Sequence, residues 1–365
     1  MPDYTLYDLD IRLYTPLHIA SGETLLNEYD YVVHGGRTWR LDQGAWLDTQ
    51  DVEDPNLAYR LARTPPGQLL REGDFDEDSP IWRYVLKGTP RATREGAQVQ
   101  EQIKDIHNRP YIPGSSLKGA LRTALVAWGF RAQGGKLDVD RLSHRRQWAA
   151  QGLERDIMGR NPNYDLLRAL QVADSEPVKV DCLRIFNVTV ITPRGTAAPI
   201  EVEAVTAPTT FRSRLKIDDA LFGQWAERLE FGDKRSWLER LPYIVHLFSR
   251  GRLRQAISWC DQRRGTERIR SHYVRWEQRK VEDNECYLQL GWGGGWDSKT
   301  IGPALHNDPQ QIERLIDKYH LGNPRRREPG DPFPRTRRMI TVQRRGREQI
   351  ASPLGWVRIK FERRL

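Results

Sequence analysis

Cysteine is scarce in this chain, and its pattern excludes two kinds of fold support. The three present, Cys182, Cys260 and Cys286, are odd in number, far apart and in no C-x-x-C spacing, so neither a disulfide framework nor a cysteine zinc site is expected. Long hydrophobic runs are absent too: none approaches the roughly 20 residues that span a bilayer. Residues 1–13 mix Asp with apolar side chains instead of forming a secretory leader, which makes a cytoplasmic location the expectation. H-E-x-x-H and paired-histidine spacings are missing, as is a G-x-S-x-G elbow, and with them the zinc-peptidase and α/β-hydrolase chemistries. Net positive charge is missing from most of the length. The formal balance is +9, and residues 321–365, with 13 Arg or Lys against 4 Asp or Glu, account for all of it.

What is present argues for a folded chain. A hydrophobic fraction of 38% with 12 Trp in 365 residues can build one large core or two to three small domains. Residues 111–128, YIPGSSLKGALRTALVAW, place Leu117, Ala120, Leu121, Ala124, Leu125 and Trp128 at the three-and-four spacing of a helix with one buried stripe. Pro113 and Gly114 break the chain just before it, and Ser115 or Ser116 can cap its first turn. Lys118 and Arg122 share the edge of the stripe, near an end whose free amides attract phosphate; Gly114, Ser115, Ser116, Lys118 and Arg122 are therefore a candidate anion site. A capped helix with two flanking cations is more often a core helix with a solvated edge, so the rest of the chain has to decide.

Residues 8–20 alternate as a first strand, and 30–41 read as a hairpin turning at 34–37. Residues 42–109 are irregular and partly acidic, with little core-forming content, and read as an insertion; 131–164, polar and rich in Arg, Gln and Gly, read as a second one with two short helices. Strands follow at 181–192, 199–207 and 209–217, the last with Arg212, Arg214 and Lys216 on one face. Helical spacing over 236–259, interrupted near Gly251, gives a second main helix or a pair. A strand at 285–290, the run GWGGGWDSKT at 291–300, a short helix at 308–319 and the basic stretch 321–365 complete the order. Without the insertions this is strand, helix, two strands, helix, strand: an α+β chain with a ferredoxin-like (RRM-like) split βαβ core, an antiparallel sheet and a basic C-terminal extension. That superfold is too common to assign a function.

Gly291, Gly293, Gly294 and Gly295, with Trp292 and Trp296 beside them and Lys299 just beyond, let a backbone approach a partner closely, as a phosphate chain requires. The frame 293–300 nearly fits the nucleotide loop G-x-x-x-x-G-K-[ST], but Ser298 stands where the second glycine belongs. The basic stretch, with Arg335, Arg337 and Arg338 and the rings of Phe333, Trp356 and Phe361, suits a polyanion: cations release counterions and aromatic faces stack on bases. A solvated arginine-rich tail fits the charge equally well. Asp174 and Asp297 are far apart in sequence and neither sits in a cluster of carboxylates, so no metal or other cofactor is expected.

The segments TPLHIASGE (15–23) and YIPGSSLKGALRTAL (111–125), followed by a glycine-rich loop after a late strand, resemble the RAMP superfamily of CRISPR proteins. Within it, LLRALQVADSEPV (166–178), LGWGGGWDSKTIG (290–302), FPRTRR (333–338) and PLGWV (353–357) resemble the fifth Csm subunit of type III-A effector complexes. The likeness spans most of the chain and leaves the two insertions unsupported. It implies one RAMP domain over 1–365 that caps the effector backbone where the 3′ part of the CRISPR guide RNA is held, supports assembly and guide maturation, and is not the target-cleaving subunit. The implied partners are guide RNA, other Csm subunits and, in guide trimming, host ribonucleases. By position, 114–122 and 291–299 would line the guide's backbone, which suits binding that ignores sequence. The alternative is a metal-independent endoribonuclease. Some RAMP relatives cut RNA with a histidine near the place of His18, and Lys118 could stabilise the phosphate.

Overall fold

The computed structural model describes residues 3–364 apart from 52, 193–194, 306–307, 323–326, 328–330 and 332, and apart from the side chains at 197, 198, 225, 233 and 303. The chain opens with β1 (Tyr4–Leu13) and β2 (Ala20–Leu26), the hairpin β3 (Tyr31–His34) and β4 (Arg37–Leu41), then β5 (Trp82–Lys87) and β6 (Gln98–Gln102). Helices α1 (Gly114–Ala132) and α2 (Gln151–Met158) lead to β7 (Leu170–Val172), β8 (Leu183–Thr192), β9 (Gly195–Val205) and β10 (Thr210–Asp218). Next come α3 (Leu241–Asp261), α4 (Glu267–Gln278), β11 (Glu285–Gln289), α5 (Gly295–Lys299) and α6 (Pro309–Tyr319). Strands β12 (Arg337–Arg344), β13 (Arg347–Ser352) and β14 (Trp356–Arg363) follow.

Five strands form a sheet in the order β11-β14-β1-β10-β7, every pairing antiparallel. Period-two alternation turns Leu9, Ile11 and Leu13 of β1, Phe211, Leu215 and Ile217 of β10, and Val357, Ile359 and Phe361 of β14 into one core. Leu117, Leu121 and Leu125 of α1 and Ile244, Val245 and Phe248 of α3 close that core. Each such side chain contributes about 1.5–3 kcal/mol on burial, and this layer fixes where α1 lies. A second sheet runs β2-β6-β9-β8-β5-β4-β3, with β12 pairing along β8 and β13 along β12. Among the described residues, no helix is long and apolar enough to cross a membrane.

The structure corrects several expectations. The first strand stops at Leu13, and residues 14–19 cross to the second sheet, where Leu17 and Val205 exchange backbone hydrogen bonds of 2.9 Å. Strands β8 and β9 belong to that second sheet, so the strand following α1 in the first sheet is the short β7. Residues 42–109 are not poor in core: Trp46, Ile81 and Trp82 join Val32, Trp39 and Leu41 in a separate buried cluster. Helix α3 continues through Gly251 and instead begins afresh at Leu241, followed by Pro242, whose missing N–H is harmless in a first turn. Two of the three rings expected to stack on bases are core as well, with Trp356 1% and Phe361 3% exposed, while Phe333 is partly buried. Alternation with Arg358, Lys360 and Glu362 makes that part of the basic stretch an interior strand of the five-stranded sheet.

Candidate nucleic-acid interface

Segments far apart in sequence converge on residues 14–19. Trp292 N donates to His18 O (2.9 Å), Gly355 N to Pro16 O (2.8 Å) and Trp356 N to Thr15 Oγ1 (2.9 Å). Glycine makes this crossing sterically feasible. A Cβ on Gly291, whose φ is +75°, would lie 2.3 Å from His18 O, and one on Gly293 would lie 2.4 Å from Leu354 Cβ. The close approach read from the glycine run is thus made by the chain to itself at 291, 293 and 294. Of the four glycines, Gly295 alone has open space at its Cβ position.

The loop ends in α5, which a buried polar network holds in place. Asp297, fully buried, lies 2.9 Å from Arg252 Nη1 and 2.5 Å from Arg337 Nη2. Arg252 also donates to Gln289 Oε1 and Ser298 Oγ, both at 2.9 Å. Burial pulls the Arg252 pKa down to about 10, Asp297 opposes the fall, and the guanidinium stays charged at neutral pH. Ser298, the residue that breaks the nucleotide-loop pattern, is therefore a member of the network. Lys299 beyond it is exposed and has no ion pair among the described residues.

Neither Ser115 nor Ser116 caps α1. Asp174 serves instead, accepting from Gly114 N at 2.7 Å. Gly114 is required there because a Cβ would lie 2.3 Å from Val172 O. A carboxylate thus already occupies the helix end that would attract an anion. Arg122 is held by Asp165 (2.7 Å) and Glu154 (3.0 Å). Lys118 is half-buried; burial lowers its pKa, and Asp165 is the charge that favours its protonated form. The expected Lys118–Arg122 anion site is not formed, because acidic neighbours 32 and 43 residues from Arg122 claim that side of the helix.

A different side of α1 meets the loop. Ser115, Ser116, Gly119, Ala120 and Thr123 face Gly291, Trp292, Ser298 and Lys299 across a groove of about 460 Å³, with Ile19 and Ala20 beside it. Nothing lies within 4 Å of the Cβ position of Gly119. Trp292 stands between the edge of His18 (ring centroids 5.8 Å apart) and the guanidinium of Arg338 (4.3 Å from the ring centroid). The groove therefore unites Ser115, Ser116, Trp292 and Lys299, with Arg338 stacked on Trp292. Gly119 and Thr123 were missed, although 115, 119 and 123 repeat every four residues and so share a helix face. A larger depression of about 630 Å³ beside α3 is lined by mixed charges, among them Arg240, Arg250, Glu277 and Glu282, and presents no field of one sign.

The other candidates lie elsewhere. Arg212 and Arg214 sit on the open face of the five-stranded sheet, in register with Asp10 and Asp8 and within 3.9 and 3.4 Å of them, so that face is a lattice of mixed charge. Arg335 pairs with Asp331 (2.9 Å) and Arg337 with buried Asp297. Phe333 packs edge-on against Trp296 with centroids 4.9 Å apart. His18 is 1% exposed and donates from Nδ1 to the Glu203 carbonyl at 2.7 Å. Burial pulls its pKa down to about 4. A neutral imidazole closed off from solvent is a structural pin and not a group that trades protons with a substrate. Among the described residues no cluster of three His, Cys, Asp or Glu could hold a metal ion.

The model of the RAMP superfamily matches residues 10–296. The chain is 24% identical over 382 residues to "CRISPR system Cms protein Csm5" of Methanocaldococcus jannaschii, covering 96% of this chain and 88% of that one. It is 25% identical over 199 residues to the protein of the same description from Streptococcus thermophilus, covering 48% and 53%. Among solved structures, it matches a chain of the Csm–crRNA–target RNA ternary complex of a type III-A CRISPR-Cas system with TM-score 0.74 and 26% identity, over 98% of this chain and 100% of that one. It also shares the fold of T. onnurineus Csm5, with TM-score 0.67 and 24% identity over 95% and 99%. These relatives bear out the resemblance to the fifth Csm subunit.

Proposed function

The chain belongs to the RAMP superfamily, and from that premise we propose that it is a guide-RNA-binding subunit that caps the backbone of a type III-A effector complex. The 3′ part of the guide's sugar-phosphate strand lies in the groove between α1 and residues 291–299. The observation that carries this reading is the chemistry of the groove. Hydroxyls of Ser115, Ser116 and Thr123 form one wall, and a locked loop with exposed Lys299 forms the other. Its one amide, Gln289, is already engaged with Arg252, Ser298 and the Leu354 carbonyl. Hydroxyls and a cation grip phosphate, and no free side-chain amide or carboxylate remains in the groove to select one base over another, which suits a site that leaves sequence to pairing.

We read the five-stranded sheet as a ferredoxin-like core in which β14, antiparallel to β1, takes the place expected of residues 285–290, and β11 is added outside it. The relative in the Csm–crRNA–target RNA complex supports guide RNA and other Csm subunits as partners. Guide maturation with host ribonucleases, and location in the cytoplasm, belong to the same proposal. Buried His18 favours a non-catalytic subunit over the endoribonuclease.

Guide affinity measured against salt concentration in the reconstituted complex tests the groove. Lys299→Ala removes one phosphate contact and lowers the log–log slope by about 0.7. Gly119→Glu places an anion in open space while replacing helical Gly with a better helix former, so affinity falls and stability does not. Arg122→Gln leaves the slope unchanged. Full affinity in the Gly119→Glu protein would remove the groove from the binding site.

A further inference from the structure

The β12–β13 hairpin carries positive charge that the groove does not use. Arg344, Arg345 and Arg347 form its exposed tip, and among the described residues none of them has a carboxylate partner. The adjacent acid, Glu348, is turned inward, accepting from Thr189 Oγ1 (2.9 Å) and Thr341 Oγ1 (2.6 Å) and lying 3.4 Å from Arg91. The turn itself is tight: Arg344 is opposite Arg347, and the central residues Arg345 and Gly346 have φ of +50° and +73°. Turns of this kind favour Asn or Asp before Gly. A long arginine held in the left-handed region, with its charge in solvent, is a local strain that points to use of the side chain.

The hairpin also starts at the groove. Arg338, near the beginning of β12, lies over Trp292. Arg344 lies six residues further along the same strand, about 20 Å away, beyond a shift in the β12–β13 register between Ile340 and Thr341. Val342 is the exposed apolar side chain between them.

We propose that the hairpin is a second grip on the same RNA strand, its three arginines contacting phosphates of nucleotides beyond those in the groove. This rests on the groove reading above. A single-stranded polyanion fits better than an acidic protein surface, because cations stand at both ends of the hairpin, Arg338 beside the groove and Arg344, Arg345 and Arg347 at the tip, and the single exposed Val342 on β12 is far short of the apolar centre that protein interfaces need.

Two oligoribonucleotides of arbitrary sequence test it with the full chain: one long enough for the groove only, the other about 20 Å longer. Replacing Arg344, Arg345 and Arg347 together with Gln leaves binding of the short RNA unchanged. The affinity gained from the longer RNA disappears, and its salt slope falls by about 2. Lys at all three positions retains the slope. Arg345→Asn alone relaxes the turn, so the unfolding midpoint holds or rises while long-RNA affinity drops, a combination that a purely structural arginine would not give. Equal losses on both RNAs, no loss on either, or loss of co-purifying protein with the RNA slope intact would each overturn the proposal. Lys299→Ala separates the two readings: a normal groove response with a silent hairpin sinks the hairpin alone, and no response to Lys299→Ala with the short RNA sinks the groove.

Discussion

Replacing Asp297 with Asn separates a loop that is electrostatically locked from one that is merely packed. The side chain keeps its size, but guanidiniums at 2.9 and 2.5 Å lose the counter-charge they share. Arg252 is 5% exposed, burial already draws its pKa down to about 10, and the charge of Arg337 acts in the same direction. Removing one partner of a buried ion pair costs about 3–5 kcal/mol, because the remaining charge is uncompensated. The bonds from Arg252 to Ser298 and Gln289 survive the substitution, which places the expectation at the lower end, about 3 kcal/mol. Against a total stability of about 5–15 kcal/mol that is a large share. Urea unfolding followed by tryptophan fluorescence should show a lower midpoint at unchanged slope. Adding Arg337→Gln should recover part of the loss, with a coupling of about 0.5–3 kcal/mol. Guide affinity should fall in the single variant, since Lys299 is two residues further along the same short helix. A loss below about 1 kcal/mol, the size of an ordinary surface or half-buried change, would refute the lock and leave glycine packing as the sole support of the loop.

His18 gives a pH signature. Its pKa falls from the ordinary 6.5 to about 4 in the folded chain, so the unfolded chain binds the extra proton first. Its contribution is complete above pH 6.5 and is lost as pH falls toward 4, by about 2 kcal/mol between pH 7 and pH 5. His18→Asn keeps a donor for the Glu203 carbonyl and should flatten that dependence in denaturation midpoints; identical pH profiles would contradict the assignment. For α1, Asp174→Ala should cost about 1 kcal/mol by thermal or urea unfolding, and Ser115→Ala and Ser116→Ala only a fraction of it. The reverse ranking would return the cap to the serines.

Local pattern carried much of the fold. The hairpin β3–β4, the buried stripe of α1 and strands β8 to β10 lie where alternation and helical spacing put them. What failed was partner choice over distance. Nothing near Arg122 in sequence announces Glu154 or Asp165, and nothing near Gly114 announces Asp174. Composition also hid structure. The arginines at 358, 363 and 364 drew attention to charge, while Trp356, Val357, Ile359 and Phe361 were already written as the apolar side of a strand. Likewise the charged run 261–279 concealed α4, whose Ile269, Tyr273 and Trp276 fall at helical spacing and are buried. Within the site, the meeting of α1 with the tryptophan-flanked glycine loop was legible from the paired motifs, but the side of the helix that faces it was not. Lys118 and Arg122 drew the eye because charge is conspicuous, whereas a lining of Ser115, Gly119 and Thr123 carries no such mark.

The most direct measurement is photocrosslinking from the groove itself. A benzoyl-phenylalanine introduced at Ser116, with a control at Tyr243 on the mixed-charge depression, is irradiated in the assembled complex carrying end-labelled guide. The expected result is label transfer at Ser116 to the 3′ part of the guide and none at Tyr243. Transfer from Tyr243 but not Ser116, or crosslinks from Ser116 to protein alone, would contradict the placement of the RNA strand between α1 and the loop at 291–299.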